Sequence, residues 1–503
     1  MNAPRSALRA ALLIVPLLSS AAAEPSTYRC EARGGSAWRE YRTRHFVVAT
    51  DLSAGRAEAV VRDLERLHAL VVQALVGEQA EIPGKVRVVA FADPADFRRM
   101  GREPFEAYFR IDWLSRPTIV FAVDGFQENA EVVAQSLAFH VSWYLFPRQP
   151  HWFTIGLGLF VQTVASTREE TTAKIGTRIV RGGRETGGNW AGLAPAGAVK
   201  YLRRAGGGMP EDILTWSSWT DDVHQEVVDR YYSWSWLLYH WLWNTRPKAF
   251  TDFTNRLANA EDPAAAWRAC FPDLDPAKPG GTRALSEALE AYQRDGRFAA
   301  YQVKAPREAQ FSAAPLSSAE VHMLLLDARS RRTERASIDA EVAEAAREDP
   351  LHPQALWNTA REEDRRAAMR RAAEARPDDW RGWYLLSLTL KPDEERTEKE
   401  AALRKAVALD PDSAVARNGL AWLLYQSGRP KEAIVHANAA VDLAPWHPPA
   451  VDTLAAVAAA LGKCKDAAIL EHRAIDLVRD SERARYQKRL EDIESRCAAP
   501  PAK

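Results

Sequence analysis

The chain is short of most features that would declare a function. Lys plus Arg and Asp plus Glu each number 67, so the formal net charge is +0 and the sequence pI is about 7.2. That excludes a global electrostatic pull toward nucleic acid or anionic lipid. Beyond the N-terminal stretch no segment reads as a membrane span. Among the 11 His no two are four residues apart, so no helix offers a histidine pair on one face to a metal. The phosphate-loop pattern G-x-x-x-x-G-K-[ST] and the nucleophile elbow G-x-S-x-G are both missing. Cysteine is scarce, with four in 503 residues.

What is present fits a folded multidomain protein. Hydrophobic content is 47% and charged content 27%, ordinary for a globular chain, and the length suits about three domains of roughly 150 residues. The N-terminus reads as a secretory signal. Arg5 and Arg9 precede the apolar run Ala10 to Leu18, and Ala21, Ala22 and Ala23 offer small residues for cleavage before Glu24. Residues 1–23 are therefore expected to be removed, and the protein to be secreted or periplasmic. Cys30 comes late for a lipid anchor, and Tyr28 and Arg29 stand before it where small residues would be needed. Cys30, Cys270, Cys464 and Cys497 suit an oxidising compartment and allow three pairings. Cys464–Cys497 is favoured because both lie in the C-terminal helical region, with buried free thiols as the alternative.

Secondary structure follows from periodicity. His45 to Thr50, Val86 to Ala92 and Thr118 to Val123 are β-branched and aromatic runs that predict strands. Ala54 to Leu75 carries Val60, Val61, Leu64, Leu67, Leu70, Val71 and Leu75 at helical spacing, so one face is buried. A helix over Val132 to Leu145 is closed by Pro147 and Pro150, and a second opens at Trp152. The Gly-rich span 176–208 reads as a surface loop. An aromatic block then crowds Trp216, Trp219, Tyr231, Tyr232, Trp234, Trp236, Tyr239, Trp241 and Trp243 into 28 positions. It reads as a helix buried on most faces, with a ring-lined groove for a peptide or glycan as the alternative.

The stretch Glu131 to Thr163 resembles the paired active-site helices of the gluzincin metallopeptidases, the peptidase-MA-like group. In that family the first helix reads V-V-x-H-E-x-x-H and the second W-[LF]-x-E-G-[LI]-A-x-[YF]. Val132, Val133 and Ala134 match the approach. Pro150, Trp152, Phe153, Gly156, Leu157 and Phe160 match the second helix. The preceding strand, helix, strand, strand order also resembles the entry to that domain, and Tyr232 and Ser235 resemble its later Y-x-x-S pattern. The chemistry is missing. Gln135 and Phe139 stand where the family has its zinc-binding histidines, Ser136 where it has the general-base glutamate, and Ile155 where it has the third ligand. His140 does not substitute, because five residues place it about 140° round the helix from Gln135. The resemblance implies a peptidase-like domain with no metal, no cofactor and no catalytic residue.

The C-terminal part carries a period. Pro377, Pro411 and Pro445 are 34 and 34 residues apart, the tetratricopeptide length. Ala421, Gly428, Ala433 and Ala440 recur as Ala455, Gly462, Ala467 and Ala474 where two helices must cross closely. The unit from Pro350 to Pro377 is shortened to 27 residues, and Asp480 to Ser495 is expected to cap the stack. Similarity to the tetratricopeptide family implies that the first helices line a concave face, where Tyr384, Asn418, Trp422, Tyr425 and Asp452 would point, suited to a peptide or a partner's tail.

The expected fold class is therefore an α+β N-terminal gluzincin-like domain, a small sheet plus helices, followed by an all-α tetratricopeptide superhelix. The expected boundaries are 28–302 for the first domain, 303–316 for a linker and 317–496 for the repeats. The expected function is an exported, non-catalytic protein- or peptide-binding scaffold, without a nucleic-acid partner or a transmembrane segment. One alternative is a hydrolase with a non-standard metal site drawn from His140, His151 and a carboxylate such as Glu131. Another is a cell-envelope carbohydrate binder using the tryptophan-rich region.

Overall fold

The computed structural model describes residues 27–76, 81–100, 107–123, 126–166, 172–175, 208–216, 225–295, 301–304, 309–329, 335–478 and 480–498. The signal stretch 1–23, nearly all of the Gly-rich span, Trp219 and His224 lie outside the described residues. Strands are β1 Arg39–Arg42, β2 Phe46–Thr50, β3 Val86–Phe91, β4 Ala107–Ile111, β5 Pro117–Ala122, β6 Thr172–Ile175, β7 Tyr301–Lys304 and β8 Ser312–Pro315. Six of them form one sheet in the order β4-β5-β3-β2-β1-β8. The central strands β2, β3 and β5 are parallel, and β4, β1 and β8 pair antiparallel at the flanks.

Alternation of side chains builds two cores on this sheet. Phe46, Val48, Val86, Val88, Ile119 and Phe121 face the helix α1, Ala54–Val76, whose Val60, Val61, Leu64, Leu67, Leu70 and Val71 are buried against them. The intervening Ala49, Val89, Phe91, Val120 and Ala122 face a helix from far along the chain, Ser318–Ala328, through Val321, Leu324, Leu325 and Ala328. A parallel strand covered on both sides carries apolar residues at nearly every position, which is why β5 and, but for Arg87, β3 read as apolar runs.

The stretch read as a linker, 303–316, holds β8. That strand pairs with β1 from Arg39 opposite Pro315 to Arg42 opposite Ser312, and Leu316 N donates to the Trp38 carbonyl at 2.9 Å. Strand pairing needs only main-chain groups, so Ser-Ala-Ala-Pro can add an edge without any alternation of its own. The sheet is thus completed by chain that also launches the first helix of the C-terminal region.

A short helix α2, Pro94–Met100, follows β3, and on the α1 side lie α3, Phe126–Leu145, and α4, His151–Val161. The helices Gln225–Thr245, Pro247–Ala258, Pro263–Cys270 and Gly281–Asp295 complete this layer. The aromatic block is core: Trp234, Trp236, Leu237, Tyr239 and Trp241 are buried with Trp152, Phe153, Phe160, Phe253 and Trp267.

The C-terminal region is a stack of helical hairpins: Ser318–Ala328 with Arg335–Glu348, Pro353–Thr359 with Arg365–Ala375, Trp380–Thr389 with Arg396–Leu409, Ala414–Gln426 with Pro430–Leu443, and Pro448–Ala460 with Cys464–Leu477. Ala421, Ala433, Ala440, Ala455, Ala467 and Ala474 are all fully buried, so the repeated alanines sit where helices approach closely; Gly428 and Gly462, expected at the same crossings, instead occupy the turns at φ 72° and 76° with open space beside them. The helix Asp480–Ala498 covers the end, and Cys464 and Cys497 are joined by a disulfide. Among the described residues no helix is long and apolar enough to cross a membrane.

The ends of the last two hairpins and the loop between them lean on the N-terminal domain. Trp446 packs on His140 and Tyr144 with ring centroids at 5.2 and 5.7 Å. Tyr144 Oη donates to the Leu443 carbonyl at 3.3 Å, and Arg148 reaches Asp476 at 2.6 Å.

Candidate functional site

The crossing of α3 and α4 is closed by packing. α4 is wedged between α3 and the helix Gln225–Thr245, with a glycine on each side. A Cβ on Gly158 would stand 2.4 Å from Phe139 Cε1 and 3.0 Å from Gln135 Cγ. A Cβ on Gly156 would stand 2.5 Å from the Ser235 carbonyl oxygen and 2.7 Å from Tyr239 Cβ. Gln135, Ser136 and Ile155 are buried, and Ser136 Oγ donates back to the Val132 carbonyl at 2.7 Å. Gln135 and Phe139 form the surface against which Gly158 of α4 packs. None of Gln135, Ser136, Phe139 and Ile155 can serve as a proton acceptor for a bound water, and Phe139 and Ile155 carry no donor atom for a metal.

His140, His151 and Glu131 are not gathered into one cluster. His140 is buried against Tyr144 and Trp446, and burial pushes its imidazole down to about 3. His151 lies edge-on to Trp216 with ring centroids at 4.4 Å, and burial lowers it to about 4. Among the described residues no three of His, Cys, Asp and Glu come together as a metal-holding group.

The five groove positions have different surroundings. Tyr384 is half-buried between two hairpin cores, and burial pushes its hydroxyl up to about 12. Asn418, Trp422 and Tyr425 share the helix Ala414–Gln426, with the last two rings 5.3 Å apart. Asp452, on the next first helix, is buried and paired: Arg489 Nε donates to its Oδ1 at 2.9 Å. The same guanidinium lies over the Trp422 ring, 5.2 Å from its centroid. Arg496 donates to Tyr425 Oη at 3.2 Å. Both arginines belong to the capping helix, so this end of the face is covered. Behind it, burial and then the Asp452 charge push the Glu471 carboxyl up to about 8.

Two polar constellations had no signal in the sequence. The first is Cys30, His322 and Glu341. Cys30 Sγ is 3.5 Å from His322 Nε2, and His322 Nδ1 is 2.5 Å from Glu341 Oε2. Arg329 and the Tyr28 main-chain N–H both reach Glu341 Oε1 at 2.8 Å. The order resembles a nucleophile, base and orienting acid. However, burial and then the Glu341 charge push the Cys30 thiol up to about 12, so it stays protonated and unreactive. The cluster ties the segment before β1 to the first hairpin.

The second is a cavity of about 580 Å³ between the sheet and the hairpin loops. Arg42, Arg87 and Arg116 line one wall, and Asp379, Asp410 and Asp412 line the other. Its ions are largely paired at its edges. Arg116 reaches Asp112 at 2.7 Å and Asp327 at 3.3 Å, and Arg381 reaches Glu320 at 2.9 Å. Burial alone would raise the Glu320 carboxyl, but Arg381 and His352 outweigh it and hold it far below the usual range.

Residues 400–458 match the family model described as tetratricopeptide repeat. No curated protein matches the chain. Among solved structures, the crystal structure of MamA protein is similar at 15% identity and a TM-score of 0.24, covering 34% of this chain and 96% of that one. The crystal structure of the yeast Tom70 is similar at 11% identity and a TM-score of 0.28, covering 73% of this chain and 82% of that one. The family match together with the stacked hairpins gives the chain tetratricopeptide repeats behind a mixed sheet-and-helix domain.

Proposed function

We propose that the protein is an exported, non-catalytic binding scaffold. In this reading a peptidase-like domain without its metal site braces a tetratricopeptide module that holds a protein or peptide partner. The observation that carries it is the contact of Gly158 with Phe139 and Gln135. An open zinc site needs three ligands and room for a water. Here two of the corresponding positions, Gln135 and Phe139, pack closely against Gly158, which supports the reading. The repeats support the binding half, since stacked hairpins present a continuous face to extended partners.

Two measurements test the reading on the full chain. Zinc content after purification without chelator is expected to be well below one per chain. One tightly held zinc, lost on His140→Ala, would overturn the non-catalytic half. Crosslinking to a protein partner is expected to weaken when Tyr384 and Trp422 are changed to Ala. Retained crosslinking in a folded variant would move the binding site elsewhere. Cell fractionation tests export directly.

A further inference from the structure

We propose that the first-helix face carries an arginine-reading site. It is filled in the resting state by the protein's own Arg489, and the Cys464–Cys497 disulfide latches it shut. The inference rests on the protein-binding reading and names the chemistry of the partner: a polypeptide segment presenting arginine.

The geometry of the occupied site defines what it reads. Arg489 is held by two features at once, the Trp422 face at 5.2 Å and the Asp452 carboxylate at 2.9 Å. A guanidinium satisfies both because it is flat enough to stack and forked enough to donate sideways. An ammonium is a point charge and satisfies them less well. Tyr425 adds a hydroxyl acceptor, taken by Arg496, seven residues and about two helical turns further along the same face.

The occupant is weakly anchored. The helix Asp480–Ala498 has 19 residues, of which Tyr486 and Ile493 are the buried apolar side chains and Leu490 and Cys497 are half-buried against the same cores. A helix with so little apolar burial belongs to the low end of local stability. The disulfide compensates. It joins the first residue of Cys464–Leu477 to the last turn of the capping helix, at the end of that helical pair opposite its connection. Both cysteines are half-buried, within reach of a reductant. A dithiol would pass two electrons and two protons to the S–S bond, giving two thiols here and a disulfide on the reductant. The helical pair would then be held at one end only, and a competing arginine could displace Arg489.

The test uses the full chain and a fluorescein-labelled peptide of alternating arginine and glycine, with its lysine counterpart as control. Fluorescence anisotropy is expected to show at least tenfold tighter binding to the reduced chain than to the oxidised one. Arg489→Ala is expected to give at least a fivefold gain without reduction. Trp422→Ala is expected to remove both gains, with circular dichroism verifying its fold and Asp452→Asn serving as the second variant. Equal affinity for oxidised, reduced and Arg489→Ala chains would overturn the proposal. So would equal binding of the lysine peptide. If partner crosslinking depends on the repeat face but is indifferent to reduction and to Arg489→Ala, the protein-binding reading stands and the arginine site falls.

Discussion

Trp446 Nε1 donates to the Ser115 carbonyl at 2.9 Å, joining the loop before the last hairpin to the turn between β4 and β5, 331 residues earlier. The indole is buried, so one side chain supplies both a hydrogen bond and an apolar plug between the two halves of the molecule. Trp446→Phe keeps the ring and leaves the Ser115 carbonyl without its donor, at an expected cost of about 1 to 3 kcal/mol. Trp446→Ala also empties the pocket against His140 and Tyr144, and is expected to cost about 3 to 5 kcal/mol. Urea unfolding checks both. If the halves were merely tethered, neither variant would shift the midpoint.

The paired glycines of α4 give a sharper test, because the two clashes differ in kind. On Gly158→Ala the new methyl meets the end of the Phe139 side chain. On Gly156→Ala it meets the Ser235 main chain. Both are expected to destabilise by about 1 to 3 kcal/mol through overpacking. Adding Phe139→Leu should recover part of the loss from Gly158→Ala, whereas no side-chain change should recover Gly156→Ala. Thermal melts of the single and double variants decide it.

Several of these features were legible in the sequence and several were not. The central strands β2, β3 and β5 were legible because both faces of the sheet are buried there, so β-branched runs stand out, whereas the flanking β1 and β4 and the separate pair β6 and β7 carried no such run. The paired helices α3 and α4 were legible from the prolines between them. β8 was not, since Ser312–Pro315 pairs through main chain and has no apolar pattern. The helix that carries Asp452 was legible, but its burial under Arg489 was not, since that partner lies 37 residues on, in a helix whose many charges single out none. Cys30 and His322 meet across 292 residues, and only the sheet's second face brings them together.

Acid should destabilise the protein through its buried histidines. Burial is the first cause in each: His68 and His140 fall to about 3, and His151 and His447 to about 4. A lowered folded value means the neutral form is favoured by folding. The contribution is complete above the ordinary 6.5 and is lost as pH falls toward the folded value. Each such group removes up to about 1.4 kcal/mol per pH unit over that window. Glu471 has the opposite sign: its contribution is complete below the ordinary 4.5 and is lost as pH rises through about 8. Stability by urea titration should therefore fall steeply from pH 6.5 toward 4. His140→Gln should reduce that slope by one group's share, and an unchanged slope would refute the assignment.

Glu341 tests whether the Cys30–His322–Glu341 cluster is structural. Its carboxyl receives the Tyr28 main-chain N–H and Arg329, and faces His322, with all three side chains buried. Removing one member of a buried ionic set leaves the others uncompensated, at a cost of about 3 to 5 kcal/mol. Glu341→Gln should therefore be among the most damaging single changes. Cys30→Ser should cost far less, because the thiol is only an end member of the chain of contacts. The native thiol should also resist alkylation by iodoacetamide at pH 8, since its value near 12 leaves almost no thiolate. Rapid alkylation of Cys30 in the folded chain, slowed by His322→Ala, would mean that the imidazole activates the thiol, and the cluster would have to be read as chemistry instead of as a tie.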